Sequence, residues 1–178
     1  EAENYVHTFA VNKIAVTSFR PSVIFGAEDS FINRFAAILK LTPIAFPLAC
    51  AKTKFAPVFV GDVVQCMANS ITDSEAFDQR ITLCGPKQYG LKELVRYIAT
   101  TVGLKRIIFG LPNWASKMQA SILEFVPGKP FSMDNYRSLQ KDSVCPENNT
   151  CPTRLETIVP RQLQNMSRYK QFRAKRHA

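Results

Sequence analysis

Histidine is the usual first component of hydrolytic triads and metal centres, and this 178-residue chain has two, His7 and His177. His7 falls in a helical period with no carboxylate, serine or cysteine partner identifiable beside it, and is expected on the wet side of its helix. The sequence holds no G-x-G-x-x-G, no G-x-S-x-G and no H-E-x-x-H, so a site built on histidine within this chain is close to excluded. The segment from Gly85 to Lys92 echoes a phosphate loop, but the final Lys-Ser/Thr is missing and Pro86 stands where backbone donors are needed. It reads as a turn. Asp62 precedes a helical period and reads as an N-cap before an acid or base. Arg34, beside an aromatic pair, is either a clamp for a phosphate or carboxylate at a cleft or a surface arginine. Cys50, Cys66, Cys84, Cys145 and Cys151 form an odd set without C-x-x-C. This argues against a zinc ribbon and a complete disulfide framework, and a reducing compartment is the simplest reading. Cys145 and Cys151 flank a loop and could approach each other. Asn148-Asn149-Thr150 is a glycosylation sequon that matters only in a secreted chain, and nothing suggests secretion.

The elements that must position these residues follow a doubly wound rhythm. Ala2, Tyr5, Val6 and Phe9 recur at helical spacing, and Ile14 to Phe19 is a β-branched run closed by Arg20-Pro21, a buried strand. Asp29-Ser30 caps a helix carrying Phe31, Ile32, Phe35, Ile38 and Leu39 that stops before Pro43. Leu41 to Lys54 has no period, and reads as a lip over a cleft around an exposed Phe46 or as a packed connection. Pro57 to Asp62 is a second strand, ending in Gly61 and the capping Asp62, followed by a helix with Val63, Val64, Met67, Ala68 and Ile71; Gln79 to Cys84 is a third. Leu91, Leu94, Val95, Ile98 and Val102 form an amphipathic helix ending at Gly103, expected in the left-handed region. Arg106 to Gly110 is a fourth strand. A helix after Asn113, ended by Pro127-Gly128, carries Trp114, Ala115, Met118, Ile122 and Phe125 at ordinary core spacing. Short helices over 133–140 and 154–159 complete the chain, which has no repeats.

Composition places the chain among globular proteins, with 46% hydrophobic and 21% charged residues. The longest uncharged run, Leu41 to Ala51, is broken by Pro43 and Pro47 and falls short of the roughly 20 apolar residues that span a bilayer. The start, Glu1-Ala2-Glu3-Asn4, has no secretory signal pattern. Of 23 basic residues, Arg161, Arg168, Lys170, Arg173, Lys175 and Arg176 follow the last acidic one, Glu156. The basic excess therefore resides in the tail, which is either a solvated terminus or a contact for an anionic surface or partner. Nucleic acid is not an expected partner, because no recognised module accompanies the charge.

Three ordered motifs carry a resemblance. Thr17-Ser18-Phe19-Arg20-Pro21-Ser22-Val23-Ile24-Phe25-Gly26, with Glu28 to Phe35 after it, is the first. Pro57 to Val64 is the second, and Leu83-Cys84-Gly85-Pro86 with Leu91-Lys92-Glu93-Leu94 is the third. Together they resemble the extended and atypical short-chain dehydrogenases/reductases of the NAD-dependent epimerase/dehydratase type, nearest to the branch with the Rossmann-fold accessory subunit of respiratory complex I. The resemblance runs from residue 1 to about 160.

It implies an α/β fold, the C-terminal part of an NAD(P)-binding Rossmann fold with a small α/β substrate-side domain. Residues 1–26 and 57–72 would belong to the Rossmann part, 27–56 and 73–160 to the substrate side, and 161–178 to a basic tail. In such proteins the glycine-rich loop and the Tyr-x-x-x-Lys pair lie upstream, and here Tyr5, Tyr89, Tyr97, Tyr136 and Tyr169 are followed four residues later by Phe9, Glu93, Thr101, Gln140 and Arg173. The chain is expected to be the trailing half of a longer polypeptide whose N-terminal half is its first partner, with strand edges at Ile14 and Val58 awaiting neighbours. By the same resemblance Arg20, Pro21, Ser22 and Val23 approach the nicotinamide end of NAD or NADP at the carboxyl end of a strand. Phe31, Arg34 and Phe46 line the substrate side, for a sugar nucleotide, quinone or other carbonyl compound. Two functions follow: an enzyme whose dyad lies upstream, or a non-catalytic subunit that holds a nucleotide on a membrane complex, on a reducing cytoplasmic or matrix side.

Overall fold

The computed structural model describes residues 2–11, 13–27, 29–125, 131–145 and 151–164. The sequon at 148–150, the Pro127-Gly128 stop and the basic tail beyond residue 164 lie outside them. In chain order the elements are α1 (Ala2–Ala10), β1 (Ser18–Pro21), β2 (Ile24–Phe25), α2 (Ser30–Leu41), β3 (Ala45–Leu48), β4 (Lys54–Phe55), β5 (Val58–Phe59) and α3 (Val60–Ser70). Then follow a 3-10 turn at Ser74–Ala76, β6 (Arg80–Leu83), β7 (Tyr89–Gly90), α4 (Leu91–Thr101), β8 (Ile107–Gly110), α5 (Asn113–Leu123) and α6 (Met133–Ser138). A last helix, α7, covers 155–164.

The strands pair two by two: β1 with β6, β2 with β5 and β3 with β8 in parallel, and β4 with β7 antiparallel. Parallel pairs joined through helices are the mixed α/β architecture expected from alternating strand and helix signals. Among the described residues β1 and β5 each have one strand neighbour, β6 and β2 respectively. The main core lies where α2, α4 and α7 meet. Ile32, Leu39, Leu94, Ile98, Leu155 and Val159 are all essentially inaccessible. Their four- and seven-residue spacing gives each helix one continuous buried stripe.

Local signals explain the boundaries. The Asp29 carboxylate accepts from Ile32 N at 2.6 Å and caps α2. After α4, Gly103 adopts φ 75°, which any side chain would strain.

Five expectations are corrected. Asp62 lies inside α3, whose N-cap is Phe59, and its carboxylate accepts from Thr153 N and Oγ1 at 3.0 and 2.8 Å. It therefore ties the C-terminal segment to α3. The stretch 41–54 is not aperiodic lip: it contains β3, because Ala45 to Leu48 finds a parallel partner in β8. Phe46 is 8% exposed rather than open to water. His7 faces inward to Ser18, its Nε2 2.8 Å from Ser18 Oγ, since α1 turns its polar side to β1 and leaves Tyr5, Val6 and Phe9 exposed. Likewise α5 buries Ala115, Ser116 and Ala120, while Trp114 is 71% exposed and Phe125 88%. Small residues let α5 approach its neighbours, so its large apolar side faces out.

Candidate functional site: the end of β1 and an apolar cavity

The two sets of residues singled out from the sequence lie on either side of Val23. At the end of β1, Arg20 points away from the core and forms a bidentate pair with Glu3, its Nε at 3.0 Å and Nη2 at 2.8 Å from the carboxylate. This hydrogen bond holds the Glu3 carboxyl below its usual range. Pro21 closes the strand. Ser22 is buried, and its N–H donates to Leu83 O at 2.9 Å. Its hydroxyl donates to Ser143 O at 2.6 Å and accepts from Ala56 N at 3.3 Å. The Ser22 side chain is thus committed to the protein, and the ligand-facing capacity of this turn rests on the neighbouring backbone. The Val23 carbonyl accepts from Val58 N at 3.0 Å, and the Val23 side chain lines a cavity.

That cavity has a volume of about 440 Å³ and is walled by α2, β3, α5 and α6. Phe31 and Arg34 enter it from α2 and Phe46 from β3, so all three residues expected on the substrate side share one space. The aromatic rings form a row. Phe55 lies 6.0 Å from Phe31, Phe31 5.0 Å from Phe35 in edge-to-face contact, and Phe35 6.5 Å from Phe46, all in the favourable range for such pairs. On the opposite side Gln119, Leu123 and Leu139 complete the wall. The Gln119 amide is already engaged, donating to Pro47 O at 3.1 Å. Ser30, Arg34 and Ser138 are the exposed lining residues and mark the mouth.

This arrangement favours binding over proton transfer. Among the described lining residues Arg34 is the one ionisable side chain, and an arginine does not give up its proton at working pH. A polar hydroxyl buried against the aromatic row without a partner costs about 1–3 kcal/mol, while a methylene there gains about 0.8 kcal/mol. Among the described residues no group of three or more His, Cys, Asp or Glu could hold a metal.

Gln119, Phe55 and Leu139 carried no sequence signal for the site; only the packing of α5, β4 and α6 brings them to it. The cysteines also differ from expectation. Cys84 and Cys145 form a disulfide across 61 residues, and the described thiols of Cys50, Cys66 and Cys151 are free. Cys145 therefore pairs with Cys84 and not with Cys151, whose N–H donates to Cys84 O at 2.7 Å. The reason is the 143–145 segment, which runs beside β4 through Ser143 N to Lys54 O and Ala56 N to Ser143 O. Burial, then the Cys66 thiol and the Asp62 carboxylate, push the Cys151 thiol up to about 11.

No model of a known protein family matches the sequence. The chain is 31% identical over 113 residues to NADH dehydrogenase [ubiquinone] 1 alpha subcomplex subunit 9, mitochondrial, of Mus musculus, and 30% identical to the Rattus norvegicus protein of that name. The match spans 64% of this chain and 30% of the mouse protein. Among solved structures, an epimerase of Methanothermobacter thermautotrophicus has a TM-score of 0.58 at 16% identity, covering 97% of this chain and 49% of that one. The UDP-glucose 4-epimerase of Thermus thermophilus, solved with NAD, has a TM-score of 0.50 at 15% identity, covering 76% and 51%. The chain thus has the fold of the C-terminal part of Rossmann-type epimerases, and sequence and fold agree with the resemblance carried by the three motifs. No described helix is long and apolar enough to cross a membrane.

Proposed function

We propose that this chain is the substrate-side part of an NAD(P)-binding protein of the short-chain dehydrogenase/reductase type, working as a nucleotide-holding accessory subunit of a respiratory-complex-I-like assembly. The single observation carrying this reading is the similarity to the mouse complex I subunit over 113 residues. Residues 1–26 and 57–72 would adjoin the nucleotide half of a longer polypeptide, with the edge of β1 that has no strand neighbour among the described residues receiving its next strand. Residues 27–56 and 73–160 would form the ligand side. Arg20, Pro21, Ser22 and Val23 would border the nicotinamide end of NAD or NADP. Pro21 and Val23 would offer backbone, Arg20 would close the outer side with Glu3, and Ser22 would brace the turn from behind. Such a cofactor supplies hydride chemistry when a reacting carbonyl stands opposite it.

Catalysis by a Tyr-x-x-x-Lys pair upstream remains the second reading, since the upstream half would carry that pair. Its localisation would follow the role: on the matrix or cytoplasmic face of a membrane complex. The test is to tag the complete polypeptide in its own cells and separate native membrane complexes. Co-migration with in-gel NADH dehydrogenase activity, and quenching of NADH or NADPH fluorescence on binding the purified protein, are expected. A protein that runs free of that activity and turns over a carbonyl substrate would overturn the accessory role.

A further inference from the structure

We propose that the cavity beside Val23 binds a fatty acyl chain, its hydrocarbon along the aromatic row and its anionic head at the Arg34 mouth. The inference concerns this chain's own cavity and does not require that a nucleotide be bound. It departs from the UDP-glucose and UDP-glucuronic acid bound in two structurally similar proteins.

Three observations carry it. The depth of the cavity is hydrocarbon and aromatic: Phe31, Phe35, Phe46 and Phe55 stand in a continuous row, with Leu48 behind them. The polar lining is sparse: Ser30, Arg34 and Ser138 are exposed at the mouth, and of the two deeper polar side chains, Asn135 and Gln119, the Gln119 Nε2 donates to Pro47 O. A methylene chain lying along the rings asks for no hydrogen-bond partner. The volume, about 440 Å³, falls in the ordinary range for small-molecule pockets, about 300–1,000 Å³. An arginine at the mouth complements a carboxylate, whose charge can stay in water while the chain is buried.

The test uses the complete polypeptide and cis-parinaric acid, a fatty acid whose fluorescence rises in apolar surroundings. Saturable binding, displaced by laurate and not by UDP-glucose, is expected. Ser138→Trp places a ring over the mouth from an exposed position and should weaken parinarate binding by about tenfold or more, a change of about 1.4 kcal/mol. Circular dichroism checks that this variant keeps its fold, and Phe35→Tyr, which narrows the row by one hydroxyl, gives a second reading in the same direction. Displacement by UDP-glucose, displacement by farnesol but not laurate, no saturable binding, or binding unaffected by both variants would each overturn the proposal. NADPH quenching on the same preparation separates the two ideas: intact nucleotide binding without acyl binding sinks this inference alone.

Discussion

The hydroxyl of Ser22 donates to the carbonyl of Ser143 at 2.6 Å, joining residues 121 positions apart at the end of β1. Ala56 N shares both groups, 3.3 Å from the hydroxyl and 3.0 Å from the carbonyl. The turn at the proposed nucleotide side is therefore held by a late segment of the chain. Ser22→Ala should lower unfolding free energy by about 1–2 kcal/mol, because the Ser143 carbonyl loses one of its two donors, Ala56 N loses one of its two acceptors, and a small void opens. A shift of the urea midpoint at unchanged slope is the measurement. An unchanged midpoint with weakened NADPH binding would instead make Ser22 a direct ligand contact.

Gly85 stands where the third motif turns under Pro57. Its N–H donates to Ala56 O at 3.0 Å, and a Cβ built at this position would overlap the Pro57 carbonyl. Backbone on both sides leaves nothing soft to yield. Gly85→Ala should cost more than about 3 kcal/mol, at the severe end of single substitutions, and show as loss of soluble protein or a much lower Tm. Gly90, where an added Cβ meets nothing within 4 Å, should accept alanine with little change.

The Cys84–Cys145 disulfide closes a loop of 61 residues. By loop entropy such a cross-link is worth up to about 4 kcal/mol, and less where the reduced chain keeps its structure. Cys84→Ser with Cys145→Ser, or dithiothreitol on the native protein, should lower Tm. Mass spectrometry after alkylation without reduction should find carbamidomethyl groups on Cys50, Cys66 and Cys151 and none on the bonded pair.

Cys151 gives stability a slope at high pH. Its ordinary value is 9.0 and burial raises it to about 11, so the folded state holds the proton more tightly than the unfolded one. The contribution is complete below pH 9 and disappears as pH climbs towards 11, a loss of order 1–2 kcal/mol. Cys151→Ala should flatten that limb of a denaturation series. At pH 8 this thiol should also react with iodoacetamide more slowly than an exposed cysteine, since little of it is thiolate.

Where a residue's role depends on its near neighbours in the chain, the sequence was enough. The period through Leu91, Leu94, Val95 and Ile98 marks a helix and its buried face, Asp29 marks the start of α2, and Gly103 marks a left-handed turn. These follow from backbone geometry and side-chain spacing within a few residues. The three motifs also pointed to the fold and to Phe31, Arg34 and Phe46, which one cavity brings together.

Tertiary structure decided the rest, because an apolar stripe does not say what lies against it. Trp114, Met118 and Ile122 keep core spacing yet face outward, since Ala115, Ser116 and Ala120 permit a closer approach on the other side of α5. Asp62 could not be told from a cap until Thr153 arrived from 91 residues away. Nor could Cys145 be assigned to Cys84 before the 143–145 segment was laid beside β4. Spacing along a chain dictates which faces are apolar and where helices stop, whereas partners across dozens of residues are chosen by how whole elements pack, a cooperative outcome no local pattern encodes.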